Sequence, residues 1–260
     1  MNAKKIAIVT GATGGLGYSF IKELMKEELD EIWALGRNEA RLEELKAEFG
    51  DKIVTFKKDF SHSREILSMA EVLDGCKPVV KFLINNAGIA QMKPSRTLTD
   101  EEVENTVNLN CKAPVLFTNV CLPYAERGTR ILNVCSAAAF QPVPYLNLYA
   151  ATKSFDRSYS RAMNFELKKT GITVTAVCPG WIDTPFLTKV INGKKVAFGG
   201  ITTPERVAKK AMKDAKRGKD SSVCTLYVKC LHFNVKMLPQ KLTMKIWTAS
   251  VKKYFKEEDL

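Results

Sequence analysis

Apolar runs of strand length alternate with segments of helical period along most of the chain, and no other feature restricts the fold as tightly. KIAIVT is followed by a helical pattern over 15–28, EIWALG by one over 39–49, and KIVTFKKDF by one over 63–73. KFLINNAG, a long helical segment over 100–122, RILNVCS, a second long helix over 147–169 and ITVTAVCPG continue the series. Repeated β-α-β units build a parallel sheet covered on both faces. The expectation is a single α/β domain over 1–260, a doubly wound parallel sheet of the Rossmann type with about seven strands. The last strand is expected from VCTLYV at 223–228, after a helix that Thr203 caps and Pro204 starts. Such sheets bind ligands beyond the carboxyl ends of their strands, near the point where strand order reverses.

Composition removes several alternatives. With 45% apolar and 26% charged residues the 260-residue chain has ordinary globular usage. Its longest uncharged stretch, 131–152, contains Gln141, Pro142, Pro144 and Asn147 and cannot serve as a membrane span. The N-terminal apolar run is short and ends in glycines, unlike a secretory signal, so a cytoplasmic location is expected. Seven scattered cysteines without C-x-x-C argue against a disulfide framework, and with only His62 and His232 no metal site is expected.

The first strand ends in TGATGGLG, residues 10–17, and runs straight into a helix. Gly11 permits the tight turn, Gly15 lets backbone approach a pyrophosphate, and Gly17 lets helix and strand pack closely. Thr13 and Leu16 belong to the same turn, where helix N–H groups face an anion. The second strand ends at Gly36-Arg37. An acidic side chain there would accept from a ribose 2′-OH and repel a 2′-phosphate. Gly36 and Arg37 instead offer room and a guanidinium, so NADP(H) is preferred over NAD(H). The plain reading of Arg37 as a solvated turn residue remains open.

Further motifs stand at later strand ends: Asp59-Phe60, Asn85-Asn86-Ala87-Gly88, and Ser136, thirteen residues before Tyr149. Tyr149 and Lys153, four apart at the start of a long helix, share one helical face. Any one of these is common by chance; their order and separation are not. The set resembles the short-chain dehydrogenase/reductase family over about residues 4–190, through T-G-x-x-x-G-x-G, N-N-A-G and Y-x-x-x-K. The resemblance implies that Asp59 and Phe60 contact adenine and that Asn86, Ala87 and Gly88 line the cofactor. It further implies that Pro179, Gly180, Ile182 and Thr184 hold the nicotinamide carboxamide. Ser136, Tyr149, Lys153 and Asn110 would be catalytic. Asn108 rivals Asn110, but N-x-K-A-P matches the family's continuation at 110–114, and the two side chains point about 200° apart on a helix. Gly14 departs from the basic residue that many NADP-using members carry there, which weakens a strict NADP preference.

These residue types suit carbonyl reduction. Hydride addition creates an alkoxide that needs a proton in nearly the same step, and a phenol can supply it. An unassisted phenol, with a pKa of about 10, gives up its proton too reluctantly near neutrality, so Lys153 and a cationic nicotinamide ring must favour phenolate. Ser136 would donate to the substrate oxygen. By resemblance, Lys153 also bonds the nicotinamide ribose, and Asn110 holds a water linking Lys153 to solvent.

An uncharged pocket wall is expected from Ala137, Ala138, Phe140, Val143, Tyr145, Leu146, Trp181, Phe186 and Phe198. The expected function is an NADP(H)-dependent oxidoreductase interconverting a ketone and a secondary alcohol. The substrate would be apolar, of hydroxysteroid or bile-acid type, with 3-oxoacyl or general carbonyl reduction as the alternative. A catalytically silent nucleotide-binding regulator is the reading from another class. The slight steroid preference draws on Lys189, Lys194 and Lys195 in a Gly-flanked substrate lid over 186–200, which could meet a side-chain carboxylate, with plain solvation of these lysines the stronger alternative.

The net charge of +12 is local: residues 201–260 hold fourteen Lys/Arg against six Asp/Glu, leaving +8 there. Within 229–256, Leu238, Leu242, Ile246, Trp247, Val251, Tyr254 and Phe255 recur at helical spacing between lysines, as in a basic amphipathic helix. Packing over the substrate mouth or a subunit, contact with an anionic membrane surface, and nucleic-acid binding compete, the last without any reading motif. By resemblance the two long helices pair between subunits in a homodimer or homotetramer.

Overall fold

The computed structural model describes residues 3–255. Six strands, β1 Lys5–Thr10, β2 Glu31–Gly36, β3 Ile53–Lys57, β4 Val79–Asn85, β5 Ala125–Val134 and β6 Thr173–Val177, alternate with helices. The helices between them are α1 Gly15–Leu24, α2 Glu39–Phe49, α3 Ser63–Cys76, α4 Asp100–Val107, α5 Ala113–Cys121 and α6 Asn147–Glu166. After β6 come a hairpin of β7 Val190–Ile191 and β8 Lys194–Lys195, then α7 Pro204–Lys216, β9 Ser221–Ser222, α8 Leu226–Met237 and α9 Gln240–Val251. The main sheet has seven strands in the order β3-β2-β1-β4-β5-β6-β9, every pair parallel. The order reverses between β1 and β4, so the carboxyl ends of these two strands face the crevice where such folds take ligands.

The apolar runs of β1 and β2 follow from burial on both faces. In β1, Ala7 and Val9 point to the layer that contains Phe20, Ile21 and Leu24 of α1 and Ala208, Ala211 and Met212 of α7. Ile6 and Ile8 point the other way, to Ile66 and Met69 of α3, Phe117 of α5 and Met163 of α6. One helix layer therefore covers each face.

Two expectations are corrected. VCTLYV is not the seventh strand: only Ser221 and Ser222 pair with Ala176 and Val177 of β6. The Thr225 side chain then accepts from the Val228 N–H at 3.3 Å and caps α8. A short apolar run reads equally as strand or buried helix, and the cap decides it. The basic amphipathic segment is also not one helix, because Leu238 turns to extended backbone before Pro239 and separates α8 from α9. Its last residue, Lys256, lies outside the described residues. The second long helix ends as an α-helix at Glu166 and tightens into a 3₁₀ turn over Leu167–Thr170.

Candidate active site

A cleft of about 700 Å³ opens at the switch point. Gly11 has φ +63°, the left-handed conformation that glycine takes without penalty. A Cβ on Gly17 would stand 2.2 Å from the Gly11 carbonyl oxygen, so the turn and α1 close on each other only with glycine there. Thr184 lies across the turn, its Cγ2 2.8 Å from where a Gly15 Cβ would be. Thr10 ties β1 to β4: its Oγ1 accepts from the N–H groups of Asn86 at 3.0 Å and Ala87 at 3.1 Å. The Asn86 side chain donates back to the Gly11 carbonyl at 2.9 Å. A glycine turn, a helix N-terminus and this fixed N-N-A-G strand end together suit a dinucleotide. At the far rim Arg37 pairs with Asp59 at 3.7 Å. Burial would raise the Asp59 carboxyl, but the Ser61 backbone and hydroxyl donors, and then Arg37, outweigh it and hold Asp59 below the usual range.

Ser136, Tyr149 and Lys153 line the same cleft with Gly88, Pro179, Gly180 and Ile182. All the expected site residues do so except Gly17, packed beneath the turn, and Asn110, which stands behind Gly88. Ser136 accepts from the Ala138 N–H at 3.1 Å, which leaves its own hydroxyl proton for another acceptor. Lys153 Nζ lies 6.0 Å from the Tyr149 ring centroid and donates to the Val134 carbonyl at 2.6 Å.

The structure places the two asparagines in different surroundings. Residues 100–121 form one continuous run, but Asn108–Lys112 is a π-turn in which the Ala113 N–H bonds back to the Asn108 carbonyl. Pro114 explains it: proline has no N–H for the Asn110 carbonyl four residues earlier, and its ring crowds that carbonyl. The turn presses Asn110 into the core, where its side chain accepts from the Ile89 N–H at 2.9 Å and donates to the Ile89 carbonyl at 2.9 Å. It also donates to Thr152 Oγ1 at 3.1 Å, tying this helix to the one that carries Tyr149 and Lys153.

One buried neighbour of Lys153 carries no motif in the sequence. Asp156 is 2% exposed, its Oδ2 3.8 Å from Lys153 Nζ, and its Oδ1 has no hydrogen-bond partner among the described residues. Burial pushes the Asp156 carboxyl up despite the nearby ammonium. Burial works against the Lys153 ammonium as well, but Asp156, followed by Tyr149, more than offsets it and the lysine is raised. The i, i+3 spacing was the only available signal, and it is too common on helices to stand out.

On the substrate side, Phe140 and Tyr145 do not face the cleft; both line a separate groove. Phe140 stacks on His232 of α8 at 3.9 Å and Tyr145 on Phe255 at 4.5 Å. Tyr227, Val228, Leu231 and Trp247, from the two C-terminal helices, take part in the wall instead. The expected lid contains the β7-β8 hairpin, turned by Asn192 and Gly193, both with positive φ. It is fastened to the C-terminal segment: Asn192 donates to the Tyr254 carbonyl at 3.1 Å, and the Ala197 N–H to the Tyr254 hydroxyl at 3.2 Å. Its lysines do not point into the cleft. Lys189 pairs with Asp183 at 2.6 Å and Lys194 donates to the Lys253 carbonyl at 2.7 Å, while Lys195 is exposed and absent from the wall. The carboxylate contact that favoured a steroid side chain loses its basis.

The chain belongs to the short-chain dehydrogenase family, whose model matches residues 5–195. It is therefore an oxidoreductase of a family whose fold binds a nicotinamide cofactor. An NADP-dependent 3-hydroxy acid dehydrogenase of Escherichia coli K12 is 33% identical over 180 residues, 68% of this chain and 72% of that protein. The 17-beta-hydroxysteroid dehydrogenase type 3 of Mus musculus is 29% identical over 225 residues, 84% of this chain and 71% of the relative. Among solved structures, a serine dehydrogenase in its closed form complexed with NADP+ has 29% identity and a TM-score of 0.71, covering 84% of this chain and 93% of that one.

Proposed function

We propose that the protein is an NADP(H)-dependent oxidoreductase that interconverts a ketone and a secondary alcohol on an apolar substrate. The observation that carries this reading is the convergence of Ser136, Tyr149 and Lys153 on the cleft that the glycine turn also lines. The cofactor supplies or removes the hydride. Ser136 donates its hydroxyl proton to the substrate oxygen, and the Tyr149 phenol delivers the proton that the nascent alkoxide requires. Lys153, kept charged by Asp156, stabilises the phenolate left behind, and Asn110 fixes the backbone around the proton path. Arg37 at the rim would hold a 2′-phosphate, as its relatives' use of NADP suggests.

The apolar wall of Val143, Leu146, Trp181, Phe198, Leu231 and Trp247 favours a bulky hydrophobic carbonyl compound of hydroxysteroid type. The reading of 3-oxoacyl reduction rests on the same wall. Both are tested by following nicotinamide absorbance with steroid ketones, bile-acid ketones and 3-oxoacyl thioesters, each with NADPH and NADH. Turnover with NADPH on one class supports the proposal. Tight NADPH binding with no turnover on any ketone or alcohol would make the chain a silent nucleotide-binding regulator. We further propose a homodimer or homotetramer through the two long helices, where Val103, Val107, Phe155 and Phe165 are exposed.

A further inference from the structure

Between Asp220 and Glu257 the sequence has seven lysines and no acidic residue. The structure folds most of this stretch into α8 and α9, and each helix has two apolar faces. The inner face of α8, Val228, Leu231 and Val235, and that of α9, Thr243, Trp247 and Val251, turn toward the protein. The outer faces are a second pair of stripes at helical spacing. Leu226, Phe233 and Met237 on α8 are 75%, 64% and 69% exposed, and Ile246 on α9 is 59% exposed beside Leu242. The stripes meet at the exposed corner formed by Met237, Leu238 and Pro239. Exposed Lys229 and Lys236 flank the first stripe, and exposed Lys241 and Lys245 the second.

We infer that this helical corner docks on an anionic lipid bilayer, lying in the interface without crossing it. Among the described residues no helix is long and apolar enough to span a membrane. An exposed apolar stripe edged by cations and free of carboxylates matches the amphipathic pattern that enters the headgroup boundary. A second copy of the chain suits the surface poorly. A two-fold contact would bring the lysine-edged patch of one copy against the same patch of the other, and the stretch between Asp220 and Glu257 offers no carboxylate to neutralise it. The same two helices contribute Tyr227, Leu231 and Trp247 to the cleft wall, so docking holds the substrate entrance near the acyl boundary. That last link rests on the apolar substrate proposed above; the docking does not.

The test is flotation of the full-length protein with phosphatidylcholine vesicles, with and without phosphatidylglycerol, needing no turnover. The wild type is expected to float with anionic vesicles and to be released by raised salt. Phe233→Ser with Ile246→Ser should weaken binding about tenfold or more. Replacing Lys229, Lys236, Lys241 and Lys245 with Gln should weaken it by about a hundredfold or more, since each lysine near an anionic surface is worth about a fivefold change. All six side chains are exposed, and an unchanged thermal midpoint shows that the variants fold. Protein that stays wholly in the soluble fraction, or variants that float like the wild type, would overturn the inference. So would an oligomer that the serine substitutions split, since the face would then belong to a second copy.

Discussion

The first 185 residues and the last 70 or so are built on different terms. In the first region each functional residue sits at a strand end or on a long helix. Its position follows from a sheet buried on both faces, and its chemistry is written in short motifs. In the second region the surface is assembled by short helices, a hairpin and aromatic contacts, as where Trp247 and Phe198 close on Trp181 of the first region at 6.3 Å and 4.6 Å. Under the proposed function the cofactor and the proton belong to the first region, while the substrate wall is shared between the two. Variants in the two should therefore fail differently.

The largest effect is expected from Tyr149→Phe, which removes the proton donor and leaves the ring. Turnover should fall about a thousandfold, while NADPH affinity, read by fluorescence titration, stays close to wild type. Retained turnover would break the comparison at its strongest point. Arg37→Ala comes next. The Arg37 side chain is 66% exposed, so solvent screens it, and a loss of about tenfold in kcat/KM with NADPH and none with NADH is expected. An equal loss with both cofactors would reduce Arg37 to a surface partner of Asp59.

Trp247→Ala probes the second region. The indole donates to the Pro144 carbonyl at 2.7 Å and pins α9 over the substrate loop. Substrate KM should rise about fivefold, with the KM for NADPH unchanged, as fits a loss of apolar contact worth about 1 kcal/mol. A fall in kcat alone would move Trp247 to the catalytic side of the division.

The same division governs what the sequence made legible. Parallel strands buried on both faces are largely apolar, and a strand-turn-helix with Gly11, Gly15 and Gly17 has few other uses, so the parallel sheet and the glycine turn are readable. Asn110 was preferred over Asn108 from a motif, while the reason for its burial, the π-turn ahead of Pro114, is a backbone event that no helical wheel displays. Phe140 and Tyr145 were assigned to the cleft because they follow Ser136. They turn away because His232 and Phe255, about ninety residues or more along the chain, offer better stacking partners. The break before Pro239 and the cap at Thr225 are visible as residue types, but the apolar pattern runs through both and masks the local backbone chemistry.

Asp156→Asn tests the one element of the catalytic side that no motif marks, and its effect on rate should be the smallest. Lys153 is raised because Asp156, the largest of the opposing charges, acts with Tyr149 to offset its burial; with asparagine the burial remains and that counter-charge is gone, so the lysine titrates at lower pH. The alkaline limb of the pH–rate profile, where the ammonium is lost, should then move to lower pH, with little change in turnover near neutrality. Stability should respond in the opposite sense. A carboxyl whose folded pKa is raised costs nothing where it is protonated in both states, and it destabilises the fold once pH passes its unfolded value of about 3.9. The melting temperature of the variant relative to wild type should thus be higher at pH 7 than at pH 3. An unmoved alkaline limb together with this pH-dependent gain in melting temperature would mean that Asp156 loads the core without serving Lys153. A shifted limb with the same gain would mean that the protein keeps a destabilising carboxylate for the charge it maintains on the lysine.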